Sequence, residues 1–306
     1  MSAPLFCDPV TGVCEIPGAV TTAVSAATAG MPVSKPIKLI YFTDPICSTC
    51  WGIEPQWRRL KLEYGHLLEI HYHMGGLLPS WEVYNSGGIS GPVDVAHHWE
   101  EVSHYYQMPI DGSIWLEDPL DSSYPPSVWF KAAQLQDGPR SIIFLRRLRE
   151  MVFMEKKNIT RQEHVKDAAA YAQLDLTKLE QDFNQQAQLL FEQDLQLGRQ
   201  MGVRGFPSVF MINQAGHREL VYGAKPYVVF TTALRKLLPE ALPRTYLKGL
   251  DIFSYFPTLT TKEYAVLHDI AFETAAAQLE SFRQQQQLSV VKAGGGELWR
   301  RSYLDF

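Results

Sequence analysis

Tyr41-Phe42-Thr43-Asp44-Pro45-Ile46-Cys47-Ser48-Thr49-Cys50-Trp51-Gly52-Ile53-Glu54-Pro55 decides the fold. An apolar run (Ile37, Leu39, Ile40, Tyr41, Phe42) ends at Asp44-Pro45, and a helical stripe of Ile53, Trp57, Leu60 and Tyr64 follows. A C-x-x-C pair therefore stands where a strand hands over to a helix. Unpaired backbone N–H groups at a helix start favour negative charge. A cysteine there ionises more easily, and the thiolate is the reactive form. Read alone, the spacing is also compatible with half of a zinc site; a strand before and a helix after turn it toward redox chemistry.

The second anchor is Val203-Arg204-Gly205-Phe206-Pro207-Ser208-Val209-Phe210-Met211-Ile212. A proline at the head of an apolar strand cannot donate to the sheet, so it belongs at the strand's start or edge. Pro55, eight positions after Cys47, should kink the first helix. These three features together resemble the thioredoxin superfamily, and more narrowly its DsbA-like branch, which carries a cis-proline beside the C-x-x-C. Trp51-Gly52 after the second cysteine strengthens the likeness.

The chain of 306 residues is 46% hydrophobic and 20% charged, which suits a globular protein with ample core. A net charge of −5 argues against a broad nucleic-acid surface. No apolar run is long enough to span a bilayer. The segment before Lys35 lacks a basic n-region followed by an apolar h-region, so a cytoplasmic protein is expected. A disulfide there is transient, catalytic or sensing rather than structural.

Cys7 and Cys14 flank a turn-prone hexapeptide and are candidates for a second redox pair, a small disulfide loop or half of a metal site. Zinc would need two more ligands, for which His71 and His73, alternating on one strand face, are candidates; no metal is expected. Residues 1–34 form an extension. Residues 35–238 read as a thioredoxin domain with a helical insertion at about 93–201, and 239–257 read as a linker. Within the insertion, Thr160-Arg161-Gln162-Glu163 and Thr177-Lys178-Leu179-Glu180 fit capping boxes. Val209–Ile212 and Glu219–Tyr222 bracket Asn213-Gln214-Ala215-Gly216 as a hairpin, and Tyr227–Leu238 reads as a helix.

Residues 258–306 have the pattern of a winged-helix-like α+β module: a helix capped at Thr260, a second helix with Phe272, Ala275, Ala276, Leu279 and Phe282 on one face, and a hairpin tipped by Gly294-Gly295-Gly296. The second helix carries Glu273 and Glu280 against Arg283, a poor surface for DNA, so it is expected to pack or to dock a protein.

Over residues 35–306 the chain resembles the YjbH/SpxH family. The resemblance rests on Lys35-Pro36-Ile37, the C-x-x-C region through Pro55, Trp115, Phe130-Lys131-Ala132-Ala133, Lys156-Lys157-Asn158-Ile159-Thr160, Lys262-Glu263 and Leu298-Trp299. It implies a cytoplasmic DsbA-like protein that hands a client regulator to the ClpXP protease. Gly205-Phe206-Pro207-Ser208 is closer to active DsbA-like oxidoreductases. The expected function is accordingly a dithiol–disulfide oxidoreductase acting on protein thiols without a cofactor, and the alternative is a non-enzymatic adapter for ClpXP and its client. Cys47 is expected as nucleophile and Cys50 as resolving thiol. Pro207 would pair with the substrate strand, and Phe206 and Trp51 would contact substrate. With Ser48-Thr49 between the cysteines, no histidine is offered there, which predicts a less oxidising pair than periplasmic DsbA.

Overall fold

The computed structural model describes residues 6–8, 13–15, 35–84, 89–293 and 295–302. Strands β1 (Phe6–Asp8) and β2 (Val13–Glu15) pair antiparallel with Cys7 opposite Cys14; the side chains of these two cysteines lie outside the described residues.

The next strand, β3 (Ile37–Thr43), is buried at every position but Lys38. It earns that continuous apolar run by lying inside a four-stranded sheet covered on both faces. Two short helices follow, α1 (Ser48–Gly52) and α2 (Glu54–Tyr64), separated at Ile53 with Pro55 in the first turn of the second. The kink expected at Pro55 is thus a break just before it. Ile53, Trp57, Leu60 and Tyr64 are all buried on the sheet-facing side. Strand β4 (Leu68–Met74) runs parallel to β3.

The helical insertion then runs through α3 (Pro92–Tyr106), α4 (Ile114–Glu117), α5 (Tyr124–Gln136), α6 (Gly138–Met154), α7 (Gln162–Tyr171), α8 (Leu176–Phe183) and α9 (Gln186–Gln200). Neither capping box expected here forms. The α7 helix starts beyond Thr160, whose hydroxyl instead bonds Asn158 Oδ1 at 2.6 Å. The α8 helix is capped by Asp175, which accepts from the Lys178 amide at 2.9 Å and leaves Thr177 inside the first turn. A carboxylate two residues upstream starts the helix earlier and accepts from its own third-position amide, so Thr177 is no longer a cap.

The chain returns through β5 (Ser208–Asn213), β6 (Arg218–Tyr222) and α10 (Tyr227–Leu237), giving the sheet order β4-β3-β5-β6 with β5 and β6 antiparallel. This is a thioredoxin-like fold with a helical insertion between β4 and β5. One insertion carboxylate joins the layers: Asp194 accepts from His73 Nδ1 at 2.6 Å and the Met74 amide at 2.8 Å, and pairs with Lys131 at 2.9 Å. His73 is thereby engaged, and His71 sits against Glu69 at 2.8 Å.

After a 3-10 turn at Gly249–Ser254 come β7 (Thr258–Thr260), α11 (Thr261–His268), α12 (Phe272–Gln284), β8 (Leu288–Ala293) and β9 (Gly296–Arg301), with sheet order β7-β9-β8. Thr260 and Glu263 close a full capping box. These elements have a core of their own, built on Phe253, Leu259, Tyr264, Leu279 and Trp299, into which Leu62 of α2 inserts. On α12, Arg283 is taken up by Glu280 at 2.6 Å.

A buried charge cluster fixes this unit to the thioredoxin core. Glu263, with no exposed surface, takes Arg146 at 2.8 and 3.1 Å and Arg58 at 3.2 Å. Arg58 also donates to the Thr258 carbonyl at 2.7 Å, and Thr258 hydrogen-bonds Glu150, the other partner of Arg146. Removing one member of such a set leaves an uncompensated buried charge. Glu263→Gln should lower unfolding stability by about 3 kcal/mol, against about 1 kcal/mol for loss of the cap alone in Thr260→Ala. Urea unfolding midpoints compare the two; equal losses would reduce Glu263 to its capping role.

Candidate functional site

The site is built from the turn between β3 and α1. Asp44 shapes that turn: its Oδ1 accepts from the Ile46 amide at 3.0 Å, and its Oδ2 from the Leu77 amide at 2.8 Å and the Ser123 hydroxyl at 2.9 Å. The carboxyl thus ties the cysteine turn to the exit of β4 and to the insertion. Burial pushes its pKa up from 3.8 to about 6, against the pull of those hydrogen bonds and of Arg149.

Cys47 occupies the N-cap of α1, where its Sγ accepts from the Cys50 amide at 3.2 Å. It is 4% exposed and Cys50 is fully enclosed. Burial raises the Cys47 thiol, and the neighbouring Cys50 sulfur raises it further. Burial works against ionisation of Cys50 too, yet its thiol is lowered, by the hydrogen bond with Cys47, by the Arg149 guanidinium and by Thr43. The two sulfurs therefore titrate as one group, in which a charge on either opposes ionisation of the other.

Reach separates them. Cys47 lines a cavity of about 140 Å³, and Cys50 does not. The cavity wall is aromatic, with Trp81, Tyr84, Trp99, Trp115 and Phe206, and His98 also lines it. Trp115 crosses both Trp81 and Trp99 edge-on at 5.8 and 5.3 Å, and its buried Nε1 makes no hydrogen bond among the described residues. Phe206 precedes Pro207 through a cis peptide bond, and its ring lies so close over Gly75 that a side chain there would collide with it.

One sequence expectation changes. Trp51 does not face substrate: it is wholly buried, donates to the Pro109 carbonyl at 3.0 Å, stacks on Phe153 and lies beneath the Arg146 guanidinium. It is a packing residue of α1. The aromatic cavity and Arg149 were not anticipated, because their residues come from distant segments and read in sequence as ordinary helical core. The tryptophan spacing alone carries no signal of a shared wall. The side chains of Cys7 and Cys14, expected as a second redox pair, a small disulfide loop or half of a metal site, lie outside the described residues. Among the described residues, no cluster of three or more His, Cys, Asp or Glu is arranged to hold a metal, and no helix is long and apolar enough to cross a membrane.

Residues 41–232 match the family model described as Thioredoxin. The ClpXP adapter protein SpxH of Halalkalibacterium halodurans is 32% identical over 274 residues, covering 87% of this chain and 89% of that protein. SpxH of Shouchella clausii is 30% identical, with 96% of each chain covered. Among solved structures, a candidate protein disulfide isomerase from Nitrosomonas europaea aligns at TM-score 0.56 and 21% identity, over 67% of this chain and 96% of that one. The cytosolic disulfide reductase DsbM from Pseudomonas aeruginosa aligns at TM-score 0.52 and 20% identity, over 65% and 99%. These two likenesses carry the fold.

Asp44 makes stability depend on pH. Its folded pKa, about 6, lies above the ordinary 3.8, so the native state holds the proton more tightly. The stabilisation is full below pH 3.8 and declines as pH rises to about 6. The loss amounts to about 3 kcal/mol across that window. Asp44→Asn should flatten the decline; denaturant titrations at a series of pH values check it, and an unchanged slope would assign the pH dependence to other groups.

Proposed function

The chain belongs to the SpxH family, whose core is the thioredoxin fold, and from that membership we propose that it is a cytoplasmic adapter that presents a client protein to a ClpXP-type protease. One observation carries this reading: the extent of the likeness. The DsbA-like structures are used up almost to their ends on about two thirds of this chain. The SpxH relatives match 87% and 96% of it. What the adapters share with this protein therefore extends beyond a thioredoxin core. The charge cluster around Glu263 supports the same reading, since it makes the C-terminal unit a rigid continuation of α2 and α6, as a platform for holding a client requires.

A second reading, thiol–disulfide exchange, is favoured by the position of Cys47 at the wall of the aromatic cavity, which Phe206, the residue before Pro207, also lines. In that chemistry the Cys47 thiolate attacks a client disulfide, and the client's other sulfur leaves as a thiolate that takes up a proton. Cys50 then attacks the mixed disulfide, so the protein's dithiol is oxidised and the client disulfide reduced by two electrons. The adapter reading stands first and reverses the order expected from the sequence; the dithiol would then sense redox state or act on clients as a second activity.

A reconstituted degradation assay with ClpX, ClpP and a client regulator separates the two. Adding this protein should speed client loss about tenfold or more, a change equivalent to ~1.4 kcal/mol of coupling. The Cys47→Ser/Cys50→Ser variant should keep that effect and lose exchange with a model disulfide. No acceleration by the parent protein would sink the adapter reading, and exchange unaffected by the double substitution would sink the other.

A further inference from the structure

The cavity beside Cys47 is large enough to hold a guest. Its volume, about 140 Å³, is close to the roughly 150 Å³ at which an apolar cavity in a protein core takes up one benzene molecule. Protein interiors leave few voids larger than a water, and a void of this volume costs stability in proportion to its size. Of its lining residues, Leu78, Val95, Trp99 and Trp115 are buried. Trp81, Tyr84, His98 and Phe206 are partly exposed, so the lining joins closed walls to walls that meet solvent.

The lining selects the chemistry of that guest. Aromatic rings prefer edge-on or offset contact with other rings. Trp115 already meets Trp81 and Trp99 edge-on at 5.8 and 5.3 Å, and a further flat ring continues that set better than a branched aliphatic group of equal volume. The polar residues of the lining are Ser48, Thr49, Tyr84 and His98, each able to give a hydrogen bond. Burial, with the charges of Cys47 and Asp44 adding to it, raises the Tyr84 hydroxyl above its ordinary range, so it keeps its proton. Among the described residues, no carboxylate, lysine or arginine lines the cavity, which suits an uncharged ring whose oxygens accept hydrogen bonds. Cys47 adds a nucleophile to the same wall. A flat, neutral ring with acceptor oxygens and a carbon open to attack by a thiol is a quinone.

We propose that the cavity binds a single-ring quinone and that Cys47 captures it as a covalent adduct. The Cys47 sulfur forms a bond to a ring carbon, and the displaced π electrons move to a carbonyl oxygen, which takes up the thiol proton. The hydrogen on the attacked carbon then shifts to the other oxygen. Both carbonyls become hydroquinone hydroxyls while the attacked carbon exchanges hydrogen for sulfur, so the addition needs no outside oxidant or reductant and nothing leaves. Cys50 cannot reverse it. A resolving thiol attacks a sulfur–sulfur bond, and the thioether has none. Capture therefore withdraws Cys47 from exchange and leaves the ring in the cavity. The proposal goes beyond both readings above and shares with the second only a nucleophilic Cys47.

The test uses the reduced full-length protein with Cys7→Ser and Cys14→Ser, 1,4-benzoquinone as the ring and acrylamide as an electrophile without one. Intact mass and peptide mapping follow addition at Cys47, and N-acetylcysteine gives the ratio of the two rates for a free thiol. At Cys47 that ratio should be about tenfold higher or more, the factor that burying one ring against apolar walls supplies. Val95 lines the cavity, and Val95→Phe, which fills it, should return the ratio to the free-thiol value. Excess toluene should slow benzoquinone addition to the parent. A parent ratio equal to that of the free thiol overturns the proposal. So does loss of two hydrogens without added mass, because the quinone then only oxidises the dithiol. Near-ultraviolet circular dichroism confirms that Val95→Phe is folded. Should it fail to fold, toluene competition decides alone, slowing supporting the proposal and no effect overturning it. Exchange with a model disulfide is measured beside these rates. A parent that exchanges without preferring the ring sinks the proposal and keeps the second reading, and one that captures the ring without exchanging does the reverse.

Discussion

Glu263 carries the heaviest structural demand in the molecule. A carboxylate with no exposed surface, it stands between Arg58 of α2 and Arg146 of α6 while closing the cap of α11. Taking these charges out of water is expensive, and only complete partnering offsets it. That requirement fixes three elements from three parts of the chain in one mutual arrangement. An apolar contact would tolerate sliding; a forked guanidinium–carboxylate pair does not. The same cluster touches the cysteine turn twice, through Arg146 stacked on Trp51 and through Glu54 shared with Arg149. Burial also lowers the Lys61 pKa to about 8, with Arg58 and Arg146 adding to the effect against the pull of Glu54.

Local chemistry was legible in the sequence, and chemistry assembled across distance was not. The strand into Cys47, the proline-marked break before α2, the hairpin around Asn213-Gln214-Ala215-Gly216 and the cap at Thr260 each depend on a few neighbouring residues, and each lies where the sequence puts it. Thr160 and Thr177 have the same local pattern as Thr260, yet Asn158 draws the Thr160 hydroxyl into the preceding turn and leaves α7 without a side-chain cap, and Asp175 caps α8 in place of Thr177. Trp51 was misread for a related reason. An aromatic ring beside a reactive cysteine suits substrate contact equally well until Phe153 and Arg146, about a hundred positions away, are seen to enclose it.

The site illustrates the same division. Cys47, Cys50, Phe206 and Pro207 belong to motifs and can be read directly. Arg149 and the tryptophan wall belong to the insertion, where a charge amid Leu148, Met151 and Val152 looks like an irregularity in a core stripe. The thioredoxin fold itself supplies little more than the turn and the cis-proline. What distinguishes this protein's sulfur chemistry is contributed by the helices inserted into that fold, so a core motif alone ranked an enzyme above an adapter.

The position of the insertion also bears on how the chain is made. β3 needs β4 on one side and β5 on the other, and the whole helical insertion separates β4 from β5 in sequence. On a ribosome adding ~5–20 residues per second, the growing chain carries β3 with one open, apolar edge for roughly ten seconds or more before its second neighbour emerges. Open strand edges of that kind invite pairing with other chains. The order of the strands in the chain therefore makes the interval between β4 and β5 the stage of synthesis at which β3 is least protected.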